Sequence, residues 1–467
     1  MSRGMLKLFR VVFILILIQN LFASTNIKNF DFDFIKKGEQ DNNTLLIVGG
    51  IQGDEPGAFM AASIVATHYI IKKGSVWVIP NLNFYSIIKR SRGPYGDMNR
   101  KFAQLSPSDP DYDAIQRIKK YITSPEVKVV LNLHDGSGFY REVYESWTYS
   151  PDRWGQSSII DQRNLEIEHY GNLEDISKSV CEYVNGKLLN NDHNYRVKNT
   201  NTRMGDKEME KSLTYFAINN GKAAFGNEAS KDLPLHERTY YHLLALEKYM
   251  HIMGIEFERK FDLNPIAVKD VIDNDIYISF YDDKIQLPLS QIRNILRYFP
   301  IKKDGTLEFT PSTPLLTVLK DNGTYVIHYG NRKVASLKPD YIEMDNETKS
   351  VSMIVDGKKR DIKMGSIINV DTSFEVESMD GIRVNVIGFV QNGKTNEAGI
   401  NIKKADFIER FSIDVNGNLY RIEFYKGDKF AGMILVNFDK NIKSDELSAT
   451  GKLGKKGPCK LNCVNHL

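Results

Sequence analysis

The chain has 467 residues, with 62 Lys and Arg against 59 Asp and Glu, which leaves a net charge of +3. This near balance gives no reason to expect a nucleic-acid partner. Three cysteines are too few for a disulfide framework, although Cys459 and Cys463 could close a small loop in the polar tail. The length exceeds what one hydrophobic core holds and predicts two or three domains.

Residues 1–23 have the pattern of a secretory signal peptide. Arg3, Lys7 and Arg10 precede a short apolar run, Val11 to Ile18, and a possible cleavage point follows. The apolar run is too short to span a bilayer comfortably. We therefore expect export to the periplasm, with an uncleaved N-terminal anchor as the alternative.

The next part of the chain, residues 24–256, alternates strands with helices. The predicted strands are Thr44–Val48, Ser75–Pro80, Val127–Leu133 and Lys222–Asn227. The predicted helices are Ala58–Ile71, Asp113–Ile122, Leu173–Leu189 and Leu235–Met253. This alternation predicts an α/β domain with helices packed on a largely parallel sheet.

From residue 257 onward, short runs alternate apolar and polar residues, which is typical of strands. The runs are Tyr277–Phe280, Leu315–Leu319, Tyr325–Tyr329, Val351–Val355, Ile367–Val370, Phe374–Val376 and Arg383–Val390. Hairpin turns are expected at Asp304-Gly305, Asn322-Gly323, Asp356-Gly357 and Asn416-Gly417. This pattern predicts two small, mostly β modules, 257–348 and 349–443, with one helix at 285–299. The loop-like composition of residues 444–467 predicts a flexible tail.

A glycine-rich junction, residues 49–57, lies between the first strand and the first helix. Its sequence, Gly-Gly-Ile-Gln-Gly-Asp-Glu-Pro-Gly, combines a tight turn with a proline suited to the first turn of a helix. Gln52 and Glu55 are three residues apart, so a turn or helix start brings them to one face. Without further residues this is equally a strand-to-helix loop with favourable turn chemistry.

Two further strands end on residues that can do chemistry, His134 and Glu228. Ligands of open α/β sheets bind beyond the carboxyl ends of the strands, so these ends can converge on one cleft. Catalytic zinc takes three protein ligands and leaves a position for water. Gln52, Glu55 and His134 would make that set. The alternative for His134 is a hydrogen-bonded structural histidine.

The segment from Arg90 to Phe102 lies between these candidate ligands and is rich in arginine. Arg92, Asn99 and Arg100 can bind a carboxylate through paired hydrogen bonds. The alternative is a solvated basic loop.

Together these residues resemble the M14 zinc carboxypeptidases (funnelins), whose motif is His-x-x-Glu followed by a distant strand-end His. Glu55 and His134 match two of the ligands, and Arg92 and the Asn99-Arg100 pair match the substrate-binding residues. Glu228 matches the catalytic glutamate. The resemblance covers about residues 40 to 255 and implies a zinc-carboxypeptidase-like mixed sheet with helices on both faces.

Gln52 stands where the family has histidine, and an amide oxygen is a poorer zinc ligand than imidazole. A subgroup from helical bacteria carries this substitution: the cell-shape-determining D,L-carboxypeptidases, which trim peptidoglycan tripeptides to dipeptides. That subgroup is also exported and has two extra β modules. The resemblance therefore implies a periplasmic zinc carboxypeptidase that acts on muropeptides, with possible cell-wall protein partners for the β modules.

In this resemblance Glu228 is the general base and Arg92 stabilises the oxyanion. Asn99 and Arg100 bind the terminal carboxylate of a meso-diaminopimelate residue. Trp154 and Thr214 lie in segments expected to wall the pocket.

Two other interpretations remain open at this point. The Gly-x-x-Gly-Asp-Glu-Pro pattern also resembles the aspartoacylase and succinylglutamate desuccinylase branch, which cleaves N-acyl amino acids. Export argues against that branch, because such substrates are usually met in the cytoplasm. Alternatively, Gln52 could mark a metal-free wall-binding module.

Overall fold

The computed structural model describes residues 31–391 and 393–439. The predicted signal peptide, the 444–467 tail and the Cys459–Cys463 pair lie outside these ranges. Within them, no helix has the length and apolar character needed to cross a membrane.

The first half alternates strands and helices as predicted. Its strands are β1 (Ile35–Gly38), β2 (Thr44–Val48), β3 (Tyr69–Lys73), β4 (Ser75–Ile79), β5 (Val127–Gly136), β6 (Phe139–Tyr140), β7 (Tyr149–Ser150), β8 (Ser157–Ile160), β9 (Arg196–Asn199), β10 (Ala223–Ser230) and β11 (Glu256–Arg259). Its helices are α1 (Pro56–His68), α2 (Phe84–Lys89), α3 (Tyr112–Ile122), α4 (Leu173–Asn185), α5 (Leu213–Asn219) and α6 (Leu235–Ile252), and α7 (Pro265–Asn274) follows. The four predicted strands and four predicted helices are all present.

A seven-stranded mixed sheet, in the order β1-β4-β2-β5-β10-β8-β9, is the centre of this half. The strands β4, β2, β5 and β10 are parallel to one another, whereas β1 is antiparallel to β4 and β8 is antiparallel to β10; β9 is parallel to β8. Every residue of β2 and β4 is buried. Since successive side chains of a strand point to opposite faces, both faces of the sheet are covered. The predicted fold class is confirmed.

The first helix is shorter than predicted, because it ends at His68 rather than Ile71. Residues 69–73 form β3, which pairs with β11 in an antiparallel ribbon. Apolar residues at the end of a helical pattern also suit a strand, and the distant partner strand decided between the two.

The second half is mostly β. Its strands are β12 (Tyr277–Phe280), β13 (Ile285–Pro288), β14 (Ile295–Lys302), β15 (Phe309–Pro311), β16 (Leu316–Asp321), β17 (Thr324–Tyr329), β18 (Arg332–Ile342), β19 (Ser350–Val355), β20 (Lys358–Lys363), β21 (Ile367–Asn369), β22 (Phe374–Val376), β23 (Ile382–Val386), β24 (Leu419–Lys426) and β25 (Lys429–Asn437). They form the sheets β13-β12-β15, β14-β18-β17-β16, β20-β19-β22 and β21-β25-β24-β23.

Two of the four predicted hairpin turns are confirmed. Asn322-Gly323 joins β16 to β17 and Asp356-Gly357 joins β19 to β20, with left-handed backbone at both positions of each turn. The other two predictions were wrong. Asp304-Gly305 connects β14 and β15, which belong to different sheets, and Asn416-Gly417 precedes β24 without joining two paired strands.

The helix predicted at 285–299 is also wrong, because this stretch contributes β13 and the start of β14. Pro288 would break a helix there, and the buried residues of β13 alternate with a partly exposed one. The helix of this region is α7 instead. Asn264 caps it by accepting a hydrogen bond from the Ala267 N–H (2.9 Å), and Pro265 occupies its first turn.

The two halves share one hydrophobic core. A single cluster of buried side chains runs from β2 and α1 into β12, β14 and β17. Polar contacts cross the same boundary: the hydroxyls of Ser63 and Thr313 are 2.6 Å apart, and Asn81 donates to the Pro314 carbonyl (3.0 Å). A second cluster lies between residues 351 and 436. Strands β24 and β25 contribute side chains to both clusters.

Candidate active site

The candidate residues meet at one edge of the central sheet. β2, β5 and β10 are parallel neighbours, so their carboxyl ends lie together. Gln52 and Glu55 follow β2, while His134 of β5 is in register with Glu228 of β10. A cleft of about 290 Å³ opens there. All nine residues singled out in the sequence line it: Gln52, Glu55, Arg92, Asn99, Arg100, His134, Trp154, Thr214 and Glu228.

The loop before α1 is held tightly in place. Gly53 donates its N–H to the Ser86 hydroxyl (2.8 Å), and a Cβ added at Gly53 would lie 2.0 Å from the Ser86 carbonyl oxygen. Only glycine fits so close an approach. Gly57, in the first turn of α1, donates its N–H to Asp135 (2.7 Å). The loop that carries Gln52 and Glu55 is thereby fixed to β5 and α2.

Gln52, Glu55 and His134 form a buried donor set that fits a metal ion. Their exposed fractions are 1%, 3% and 7%, and His134 Nδ1 lies 2.8 Å from Glu55 Oε2. The Gln52 amide nitrogen donates to Asp97, whereas its Oε1 is buried and accepts no hydrogen bond from the described residues. An orphaned amide oxygen in one cleft with a carboxylate and an imidazole is an arrangement that a cation can satisfy. Within residues 31–391 and 393–439, no three His, Cys, Asp or Glu side chains form a metal-binding group, so a three-ligand site in this cleft would include the Gln52 amide.

Asp97 orients the Gln52 amide. One of its oxygens accepts from Gln52 Nε2 (2.7 Å) and from the Asn99 N–H (2.9 Å), and the other accepts from Arg92 Nε (2.9 Å). Burial would raise the pKa of Asp97, but the hydrogen bond from Gln52 and the charge of Arg92 outweigh it and hold the pKa below its usual range. Asp97 was not predicted from the sequence, although it lies within the 90–102 segment, between Arg92 and Asn99.

Glu228 is buried and makes no ion pair among the described residues. Burial raises its pKa to about 8; the negative charges of Glu55 and Asp135 act in the same direction, and His134 and Lys231 oppose them. Lys231, three residues after Glu228, pairs with Asp54 (2.9 Å) and Glu55 (3.5 Å) rather than with Glu228. A buried carboxyl with a raised pKa suits proton transfer near neutral pH.

His134 contacts both the candidate metal ligand Glu55 and the substrate-binding candidate Asn99. Burial lowers the pKa of His134, but the charge of Glu55 and its hydrogen bond outweigh this, so the pKa is raised overall. Asn99 Nδ2 lies 3.3 Å from His134 Nε2, and Asn99 Oδ1 accepts the N–H of Leu213 at the start of α5 (3.0 Å).

The two arginines differ in their pairing. Arg92 is ion-paired to Asp97, and its Nη1 lies 3.7 Å from Glu55 Oε1. Arg100 donates to the Asn99 carbonyl (3.0 Å) and forms no ion pair within the described ranges. Its guanidinium is therefore available to bind an external carboxylate.

Trp154 and Thr214 form part of the cleft wall. The Lys198 ammonium lies 4.6 Å from the centroid of the Trp154 ring. The hydroxyl of Thr214 lies 3.1 Å from that of Ser212, the cap of α5. Other lining residues were missed by the sequence analysis: Asn132, Asp135, Gly136, Ser137, Ile159, Met209, Gly226 and Lys231. Strand periodicity could have found Asn132, which is two residues before His134 and so lies on the same face of β5.

Comparison with known proteins identifies the family of the chain. The family model described as the catalytic part of carboxypeptidases controlling helical cell shape matches residues 5–273. The chain belongs to this family. A second model, the C-terminal domain of metallo-carboxypeptidases, matches residues 344–439. Membership makes the protein a carboxypeptidase of a metal-dependent class. No curated protein matches the chain.

Solved structures of a relative cover most of the chain. The product-bound crystal structure of the cell shape determinant protein Csd4 from Helicobacter pylori is 42% identical over 88% of this chain and 100% of its own, with a TM-score of 0.79. A tripeptide-bound form is 41% identical with the same coverage and TM-score. The form bound to mDAP, described as a D,L-carboxypeptidase, is 42% identical over 87% of this chain and 100% of its own, again with a TM-score of 0.79.

Proposed function

We propose that this protein is a periplasmic zinc D,L-carboxypeptidase that removes the C-terminal meso-diaminopimelate from peptidoglycan tripeptides and leaves dipeptides. This activity remodels the wall and sets helical cell shape. The observation that carries the proposal is the cleft itself. One cavity is lined by an Arg100 guanidinium that has no ion pair among the described residues, a buried Glu228 carboxyl and the Gln52, Glu55 and His134 donors. Family membership and the tripeptide-bound and mDAP-bound forms of the Helicobacter pylori relative support the substrate.

The residues divide the work of amide hydrolysis between them. A zinc ion held by Gln52, Glu55 and His134 would lower the pKa of a coordinated water and polarise the scissile carbonyl. Glu228 accepts the proton of the attacking water and delivers it to the leaving amine. Arg92 donates hydrogen bonds to the carbonyl oxygen as negative charge develops on it.

The leaving residue is held by its charges. Asn99 and Arg100 bind the terminal carboxylate, which restricts the enzyme to one residue at a time from a free C-terminus. The side chain of meso-diaminopimelate is zwitterionic, and a polar cleft between Trp154 and Thr214 suits it better than an apolar slot would.

Each part of the chain has its own proposed role. Residues 1–23 direct export, and residues 24–256 carry the chemistry. The β modules, 257–348 and 349–443, position the enzyme on its polymer or on cell-wall proteins, since no candidate catalytic cluster was found in their sequence.

Digestion of purified muropeptides by the purified protein tests the proposal. Chromatography should show loss of tripeptide and gain of dipeptide; a chelator should stop the reaction and added zinc should restore it. Metal analysis should find one zinc per chain. Hydrolysis of N-acyl amino acids instead would favour a deacylase, and a protein with neither bound metal nor turnover would be a wall-binding module.

A further inference from the structure

Lys231 is a third cation of the cleft, beside Arg92 and Arg100, and the mechanism above leaves it without a role. It directly follows β10, and its backbone N–H donates to the Gly136 carbonyl (2.7 Å). Its ammonium lies 2.9 Å from Asp54 and 3.5 Å from Glu55, and its side chain lines the cavity with 30% of its surface exposed.

A chain of contacts links Arg100 to Lys231 through the candidate metal ligands His134 and Glu55. Arg100 donates to the carbonyl of Asn99 (3.0 Å), whose amide lies 3.3 Å from His134 Nε2. The other nitrogen of His134 lies 2.8 Å from Glu55 Oε2, and Glu55 Oε1 lies 3.5 Å from Lys231. The candidate reaction centre therefore separates the two cations. If Arg100 binds the residue that is released, Lys231 faces the residue on the acyl side of the scissile bond.

The Lys231 ammonium has hydrogen-bonding capacity to spare. It carries three N–H donors, of which Asp54 accepts one at short distance. Glu55 is farther away, and as a candidate metal ligand its charge is directed to the metal. A further carboxylate in the cleft would complete the coordination of the ammonium and form a charge-assisted hydrogen bond.

We infer that Lys231 binds the free α-carboxylate of the D-glutamyl residue on the acyl side of the scissile bond. The inference rests on the proposed function. Because diaminopimelate is attached to the γ-carboxyl of that glutamate, the α-carboxylate stays free and close to the reacting carbonyl. An ordinary α-linked peptide with an uncharged residue there has no such charge. Lys231 thus makes the enzyme selective for γ-linked glutamyl stems.

Asp54→Asn is the control that separates a structural role of Lys231 from a role in binding substrate. If the lysine only ties the end of β10 to the α1 loop through Asp54, then Asp54→Asn and Lys231→Gln should have the same effect. If the lysine recognises substrate, Asp54→Asn leaves the ammonium in the cleft and keeps the selectivity.

The test compares two tripeptides that differ in one group: L-Ala-γ-D-Glu-meso-diaminopimelate and its counterpart in which the D-glutamyl α-carboxylate is a carboxamide. The full-length protein should prefer the free acid in kcat/KM by on the order of tenfold, the effect of one hydrogen bond to a charged group. Lys231→Gln should lose this preference, so that its kcat/KM becomes equal for the acid and the amide, and bound zinc at the wild-type level reports correct folding. Lys231→Arg should keep part of the preference.

Each contrary result has a separate meaning. Equal turnover of both tripeptides by the wild-type protein overturns the assignment of Lys231 and leaves the proposed function standing. The same holds if Lys231→Gln keeps the wild-type preference, or if Asp54→Asn loses it to the same extent as Lys231→Gln. Turnover of neither tripeptide by the zinc-loaded wild-type protein overturns the proposed function itself.

Discussion

The two halves of the molecule handle buried charge in different ways. In the β half, the buried Glu423 carboxylate has a counter-ion: Arg421 Nε lies 3.3 Å from its Oε1, and Tyr425 donates a hydrogen bond to its Oε2 (2.7 Å). At the carboxyl edge of the α/β sheet, the buried Glu228 carboxyl makes no ion pair among the described residues, and the Gln52 Oε1 in the same cleft accepts no hydrogen bond from them. A buried carboxylate with a counter-ion holds a fold together, whereas a buried carboxyl without one, in a cleft with other candidate ligands, points to a functional site.

The largest expected effect is that of the general base. Glu228→Gln keeps the size of the side chain but cannot accept the proton of water, so kcat on the tripeptide should fall on the order of a hundredfold or more with bound metal retained. The matched control in the β half is Glu423→Gln, which should change kcat by no more than a few-fold in the folded protein. Near-wild-type turnover by Glu228→Gln would move the base to another residue.

Substitutions of the proposed metal ligands should have the next largest effect. His134→Ala should lose most of its bound zinc in metal analysis, because two ligands remain where a catalytic site needs three. His328→Ala removes a buried histidine of the β half and should retain the metal. Gln52→His should bind zinc at least as tightly as wild type, since imidazole is the better ligand. Full zinc content in His134→Ala would exclude His134 from the site.

Asp97 should affect zinc affinity because it orients the Gln52 amide. Asp97→Asn replaces the acceptor of the Gln52 amide hydrogens with a group that can also donate, and zinc affinity should weaken about 10- to 100-fold, the usual cost of losing such a supporting contact. Asp109→Asn, which lies beyond the 90–102 segment and pairs with Lys101, is the control and should leave the affinity unchanged. Competition with a chelator measures both, and equal affinities would show that Asp97 does not orient the ligand.

The β half should contribute stability and not chemistry. A Cβ added at Gly330 would lie 2.9 Å from the Phe59 ring of α1, at a φ of +53°. Gly330→Ala should lower the free energy of unfolding by about 2 kcal/mol through strain and overpacking, with kcat/KM per folded molecule unchanged. Gly357 has a similar φ of +77° and open space around it. The loss of unfolding free energy in Gly357→Ala therefore measures the cost of the backbone conformation without overpacking. A large loss of kcat/KM in folded Gly330→Ala would mean that the β half shapes the site.

The smallest effect concerns His328, whose pKa burial lowers to about 4, with the charges of Lys333 and Arg90 adding to the shift. The unfolded chain, with an ordinary histidine pKa, binds the proton first as the pH falls. The folded state is therefore destabilised below about pH 6.5. Between pH 7.5 and 5.5 the wild type should lose about 1.4 kcal/mol that His328→Gln does not lose. Urea unfolding at both pH values measures this, and parallel losses in the two proteins would contradict it.

Many residues of the candidate site could be predicted from the sequence because the patterns that mark them are local. Apolar runs that end on Gln52, Glu55, His134 and Glu228 define parallel strands and their carboxyl ends, and parallel strands bring those ends to one edge. The Gly-x-x-Gly-Asp-Glu-Pro junction predicted the strand-to-helix turn from backbone preferences alone. These features depend on neighbours within a few positions along the chain.

Other features depended on residues far apart in the chain. Tyr69–Lys73 became a strand because β11 pairs with it, and the stretch at 285–299 became strands because neighbouring strands supplied its hydrogen bonds. Asp97 and Lys231 acquired their partners, Gln52 and Asp54, only when separate loops met at the sheet edge. The sequence by itself determined which strands carry the candidate chemical groups; the tertiary structure decided which groups pair and which are left for a ligand, because pairing depends on distances that local preferences do not set.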